Sequence, residues 1–254
     1  MSALALIRAT AVLDSRRVLD EVSLSVAHGE LVAVVGPNGA GKSSAIRSLA
    51  GLLPLSQGEA RLEGQDVARL SPRARAERAA YLPQERRIAW NMPAVDVAAL
   101  GAPFLSGADA RRRALAALEE VEGGGLAERG VAEMSGGERA RVLLARALAT
   151  DTRSLLVDEP IAGLDPDAQL LVLDRLKARA RAGQAVLLSL HDLTLAARFA
   201  DRVIVLHRGR TIASGTPLDA LAPSVMAEVF GLTGAWIDAP GGPLLAAGRR
   251  QSGE

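Results

Sequence analysis

Cysteine is absent from this 254-residue sequence, which excludes disulfides, thiol nucleophiles and zinc sites built on thiolates. Three histidines (His28, His191 and His207) are scattered along the chain, which argues against a histidine-rich zinc-hydrolase centre. Aromatic residues are scarce: Tyr81, Trp90, Phe104, Phe199, Phe230 and Trp236 are the full set, and none falls in the first 80 positions. The chain therefore lacks the stacking platforms that hold single-stranded nucleic acid. Neither sign of charge is in excess, since 30 basic against 29 acidic residues leave a net +1. No net field steers the chain toward nucleic acid or an anionic membrane. No apolar run approaches the roughly 18 residues of a membrane span, and the N-terminal MSALALIRATAVLDSRR lacks the layout of a signal peptide. A cytoplasmic location is the expectation. Lysine is nearly absent too, with Lys42 and Lys177 the two among 30 basic residues.

What is present suits a folded domain. Apolar residues make up 49% and charged residues 23%, enough for a substantial core beneath an ordinary surface. The length favours one domain, or one with a small appended subdomain. Leu4 to Val12 and the alternating Val18 to Val26 read as strands. The continuous apolar run Leu31 to Val35 reads as a strand buried on both faces, as in a parallel sheet. Helical patterns cover Ser43 to Leu53, 71–80, Pro93 to Leu100, 108–122, 138–149, Gln169 to Ala182 and Leu193 to Ala200. Further strands are expected at Leu155 to Val157 and Ala185 to Leu190, and a hairpin around Arg208-Gly209. From Ala239 the sequence turns Gly/Pro-rich, which predicts little order. Buried-type strands alternating with helices, interrupted by a helical block, make an α/β domain with an inserted helical subdomain.

Gly36-Pro37-Asn38-Gly39-Ala40-Gly41-Lys42-Ser43 fits the pattern G-x-x-x-x-G-K-[ST] between an apolar strand and a helix. Glycines let successive backbone N–H groups converge on phosphate oxygens, and the helix start adds partial positive charge. Lys42 can reach the terminal phosphates as a compact point charge, where arginine would not substitute, and the Ser43 hydroxyl can ligate Mg²⁺. The plainer reading, a glycine-rich turn before a lysine, leaves the flanking strand and helix unexplained.

Ser154 to Val157 is an apolar strand that ends in Asp158-Glu159. Asp158 there can hold Mg²⁺ and Glu159 can activate an attacking water, although a solvated strand end would look the same. Ser135-Gly136-Gly137-Glu138 opens the helix at 138–149 and supplies a second helix start suited to anions. An ordinary capped helix is the alternative there.

With these residues the chain resembles the nucleotide-binding subunits of ABC transporters over roughly residues 4 to 231. GPNGAGKSS is similar to the Walker A loop, LPQ (Leu82-Pro83-Gln84) to the Q-loop and MSGGER to the signature. LLVDEP is similar to the Walker B strand, AGLD (Ala162 to Asp165) to the D-loop and LHD (Leu190-His191-Asp192) to the switch histidine. The resemblance implies a P-loop NTPase core, a mixed sheet with flanking helices, carrying an N-terminal antiparallel β subdomain. It also implies an inserted α-helical subdomain over about 85–150, all within residues 1–231, with a C-terminal tail from 232 to 254. ATP would contact Val18, Gly36, Pro37, Asn38, Gly39, Ala40, Gly41, Lys42, Ser43, Ser44 and Gln84; Mg²⁺ would take Ser43, Gln84 and Asp158; and Glu159 and His191 would be catalytic. In a head-to-tail homodimer Ser135, Gly136, Gly137 and Glu138 would face the partner's nucleotide, with Asp165 in the D-loop.

The stretches YLPQERRIAWNMPAVDVAALG and HDLTLAARFADRVIVLHRGRTIASGTP resemble importers of iron-siderophores, heme and cobalamin. Those pair two such ATPases with a membrane permease and a substrate-binding protein, which places the chain at the cytoplasmic face of the inner membrane. The segment from Trp90 to Leu100 would face the permease. An exporter or lipid-transport ATPase is the alternative; a non-transport ATPase is more remote, because coiled-coil insertions and a second cassette are missing. Leu13 stands where the family usually has an aromatic residue for adenine, leaving Val18 as the apolar contact and predicting weaker ATP affinity or weaker base selectivity.

Overall fold

A computed structural model describes residues 2–85, 88 and 90–249. Arg86, Arg87 and Ala89 of the stretch after Gln84, and residues 250–254 of the tail, lie outside the described residues. Strands β1 (Ser2–Leu13) and β2 (Arg16–Ala27) pair antiparallel through the two-residue turn Asp14-Ser15. Both turn residues have positive φ, 47° and 63°, the hand that matches strand twist. With β4 (Gln57–Leu62) and β5 (Gln65–Asp66) they form a sheet ordered β2-β1-β4-β5.

The central sheet runs β10-β9-β3-β8-β7-β6. Its members are β3 (Leu31–Val35), β6 (Ala79–Leu82), β7 (Ser154–Val157), β8 (Ala185–Ser189), β9 (Arg202–His207) and β10 (Arg210–Gly215). Five are mutually parallel, and β10 returns antiparallel on β9. The period-two alternation of side chains divides each strand between two cores. Val32, Val34, Leu156, Leu187 and Ile204 join the core shared with β1, β2 and helix α1 (Lys42–Leu49). Leu31, Ala33, Leu155, Val186 and Val203 join the core beneath the remaining helices. Such strands are apolar on both faces over most of their length, and β3 is fully buried along its length.

Helix α2 (Pro72–Ala76) precedes β6; α3 (Ala94–Ala99), α4 (Gly107–Glu120) and α5 (Gly136–Leu148) then fill the crossover from β6 to its neighbour β7. The helical block is thus one long connection between adjacent parallel strands. Helix α6 (Pro166–Arg181) starts on an Asp165 cap and α7 (Leu193–Phe199) on an Asp192 cap. The architecture is a mixed sheet with flanking helices, an antiparallel N-terminal sheet and an inserted helical subdomain, as the sequence suggests.

Three differences have physical causes. The helix expected over 71–80 stops at Ala76, because Ala79 and Ala80 pair with Ser154 and Leu155 and the non-local ladder outweighs alanine's helix preference. Strand β4 alternates among polar residues and buries only Ala60 and Leu62, so it carries little apolar signal. The Gly/Pro-rich tail expected to lack order instead forms β11 (Leu232–Ala239) and β12 (Gly242–Arg249), an antiparallel hairpin through residue 249. Its Trp236 and Leu245 are paired across the ribbon and pack on the larger core. Trp236 Nε1 donates to the Leu221 carbonyl at 3.2 Å, Leu245 N to Thr194 Oγ1 at 3.3 Å and Arg198 Nε to the Gly241 carbonyl at 2.7 Å. The bonds to Thr194 and Arg198 fasten the ribbon to α7, and the Trp236 bond ties it to Leu221.

Candidate active site

The chain leaves β3 through residues 36–41 and enters α1 at Lys42. A side chain at Gly36 would collide with the Leu206 carbonyl, and Gly41, at φ 106°, occupies the left-handed cap position before the helix. Both places require glycine. Lys42 is 5% exposed and donates to the carbonyls of Gly36 (2.8 Å) and Pro37 (3.2 Å). Burial pulls its ammonium below the usual lysine range, and the nearby Glu159 and Asp158 push back toward the charged form. A buried cation beside a loop of backbone N–H groups is a fitting seat for polyphosphate.

The C-terminal ends of β7 and β8 supply the facing wall. Asp158 Oδ1 accepts from Ser43 Oγ at 3.0 Å and from Ser189 Oγ at 2.6 Å. Ser189 Oγ in turn accepts from the backbone N–H of Glu159 at 2.8 Å. Ser189 is fully buried at the end of β8, and the sequence reading missed it. A lone hydroxyl closing the apolar run AVLLS was the available signal. Glu159 has φ 47°, and its carboxylate is held between Gln84, whose Nε2 donates at 2.5 Å, and a short bond to His191 Nε2. Gln84 lies just past β6 and His191 just past β8, so three strand ends converge on one carboxylate.

A cavity of about 430 Å³ opens here, lined by Val18, Asn38, Gly39, Ala40, Gly41, Lys42, Ser43, Ser44, Gln84, Glu159 and His191. Gly36 and Pro37 meet it through Lys42, and Asp158 through Ser43. Leu13 is not among its lining residues; it lies at the end of β1, 39% exposed. The donor set of the Ser43 hydroxyl, the Asp158 carboxylate and the Gln84 amide is hard and oxygen-rich, and it fits Mg²⁺ completed by substrate phosphates. Gln84 spends its amide nitrogen on Glu159, which leaves its carbonyl oxygen to serve as an acceptor.

Ser135, Gly136, Gly137, Glu138 and Asp165 lie outside this cavity. Ser135 caps α5 through a reciprocal box: its Oγ accepts from Glu138 N at 3.2 Å and the Glu138 carboxylate accepts from Ser135 N at 2.8 Å. Asp165 is close by, since a Cβ on Gly137 would lie 3.7 Å from Asp165 Oδ2. The chain therefore presents two separate anion-suited helix starts, α1 and α5.

The ABC transporter family matches residues 19–162. The hemin import ATP-binding protein HmuV of Myxococcus xanthus is 43% identical over 238 residues, 89% of each chain. HmuV of Streptomyces coelicolor is 45% identical over 222 residues, 86% of this chain and 79% of that one. A dimeric ATP-binding cassette solved in a post-hydrolysis state with ADP and Pi is 26% identical with a TM-score of 0.77, covering 84% of this chain and 98% of that one. The fold thus has its counterpart in a known ATP-binding cassette, and this chain belongs to the ABC transporter family as an ATP-binding subunit that hydrolyses ATP in support of transport.

Proposed function

We propose that the chain energises import of hemin across the inner membrane, as one of two ATPase subunits on the cytoplasmic face of a permease supplied by a substrate-binding protein. The observation that carries the substrate is the 43% and 45% identity to hemin import ATPases over nearly the whole chain. Iron-siderophores and cobalamin belong to the broader metal-chelate reading within which hemin is proposed.

In the hydrolytic step, the loop from Gly36 to Gly41 and Lys42 hold the ATP phosphates, with Val18 beside the base. Ser43, Asp158 and Gln84, together with the phosphates, would hold Mg²⁺, which would supply charge neutralisation on the transferring group. Glu159 takes a proton from the attacking water as its oxygen bonds to the γ-phosphorus and the bond to the ADP oxygen breaks. His191 and Gln84, already on the Glu159 carboxylate, orient it and contact the terminal phosphate region. The separation of Ser135, Gly136, Gly137, Glu138 and Asp165 from the cavity of their own chain favours a head-to-tail homodimer in which they close the partner's site.

The permease would seat in a groove of about 580 Å³ between the central sheet and the helical insertion. Leu52, Leu100, Phe104 and Leu105 line it and are 45–60% exposed. Trp90, 75% exposed, stands outside it at the start of the α3 segment, whose Ala94, Val95, Val97 and Ala98 face inward. Proteoliposomes carrying the whole complex test the proposal. ATP-dependent hemin accumulation, abolished by Glu159→Gln, is expected; accumulation of cobalamin or a ferric siderophore in place of hemin would overturn the substrate.

A further inference from the structure

The groove described above is apolar, yet three guanidinium groups line it, those of Arg75, Arg113 and Arg146, and no carboxylate does. Two of the three are spent within the chain. Arg113 pairs with Asp151 at 2.8 Å, and Arg75 donates to the Gly51 carbonyl at 2.6 Å. Arg146 is different. Among the described residues it makes no hydrogen bond and no ion pair, and the Phe104 ring nearby already carries Arg73, 4.9 Å from its centroid.

Its surroundings are largely apolar. Arg146 lies on α5 between the buried Ala145 and Ala147. The backbone there is locked, because a side chain on Gly101 would collide with the Arg146 carbonyl. Burial alone pulls its guanidinium below the ordinary arginine range, with no opposing anion; arginine nonetheless stays protonated. A half-buried, charged, five-donor fork with no partner in its own chain among the described residues is well placed to meet an anion that docks in the apolar groove.

We propose that Arg146 is the recognition charge of this groove and that the permease segment seated there is apolar except for one carboxylate, which the guanidinium meets as a fork-to-fork pair. The inference rests on the reading of the groove as the permease seat. Apolar contact with Leu52, Leu100 and Leu105 supplies area, while the charge pair sets register and rejects segments without the acid. Neighbouring Arg113 and Arg75 add positive potential that favours the same partner.

The test is binding of the full chain to its permease in nanodiscs, with melting temperature and ATP affinity reporting that each variant is folded. Arg146→Met is expected to weaken binding at least about tenfold and to remove most of its salt dependence, with Arg146→Lys in between. One Asp or Glu→Arg change in a cytoplasmic loop of the permease should weaken binding to the natural chain and recover it against Arg146→Glu. If Leu52→Arg abolishes binding while Arg146→Met stays within twofold, the groove stands as the seat and the recognition charge is overturned. Loss in Arg146→Met with no restoring charge exchange overturns the carboxylate as its partner. If Leu52→Arg binds like the natural chain, the groove is not the seat and the inference falls with that reading.

Discussion

Glu159 combines a left-handed backbone, φ 47°, with a carboxylate held from two sides. A non-glycine residue in that region costs roughly 1–3 kcal/mol, so the neighbouring structure must hold it there. Ser189 is the brace: one hydroxyl accepts the Glu159 N–H and donates to Asp158. Ser189→Ala strips both partners in a fully buried place and is expected to cost about 1–3 kcal/mol of stability. Because it acts through Glu159 and Asp158, kcat should fall by roughly tenfold, the equivalent of about 1.4 kcal/mol in the barrier, while KM for ATP changes little. Steady-state ATPase kinetics with a thermal melt separate the two effects, and an unchanged kcat would remove the brace from the mechanism.

At the scale of elements, helix starts carry the chemistry. The first turn of α5 is built from Ser135, Glu138 and Arg129, the last pairing with Glu138 at 2.7 Å. The Ser135 N–H, then Arg129, hold the Glu138 carboxyl below its ordinary value of 4.5. A carboxyl depressed in the folded state stabilises above the ordinary value and loses that contribution as pH falls through the folded one. Glu138→Gln keeps a capping side chain without the charge. Its melting temperature should therefore match the parent's more closely as pH drops below about 4.5 and fall short of it near neutrality; identical curves across that range would refute the assignment. The ribbon of β11 and β12 is a second element with reach, because its bonds to Thr194 and Arg198 tie it to the helix that begins one residue after His191-Asp192.

Among the described residues, the proposed nucleotide cavity and the glycine helix start beside Asp165 lie apart. In the proposed head-to-tail pair both would be used, since each α5 start would complete the other chain's cavity. Glu159→Gln removes the proposed base without touching the loop proposed to hold the phosphates. It should bind ATP, fail to hydrolyse it and sediment as a dimer only when ATP is present, as ultracentrifugation would show. A variant that remains monomeric at saturating ATP would contradict the head-to-tail arrangement.

Much of the site is legible in the sequence because it is made of contiguous chain. The loop from Gly36 to Ser43, the Asp158-Glu159 end of β7 and the cap at Ser135 each obtain their geometry from a strand or helix end a few residues away. Ser189, Arg146, strand β6 and the C-terminal ribbon were not legible, for one shared reason. Ser189 matters because β8 lies beside β7, and Ala79 to Leu82 become a strand because β7 offers an open edge. Arg146 looks like any helix-surface arginine until the insertion folds against the sheet and leaves it lining an apolar groove without an anion. The ribbon holds its order by packing Trp236 and Leu245 on a core assembled from distant segments. Local order of residues thus determined the phosphate-binding chemistry and the class of fold. Which groups share a carboxylate, which charge is left unpaired and which segments become strands were decided by tertiary packing, because burial and sheet pairing are properties of residues far apart in the chain.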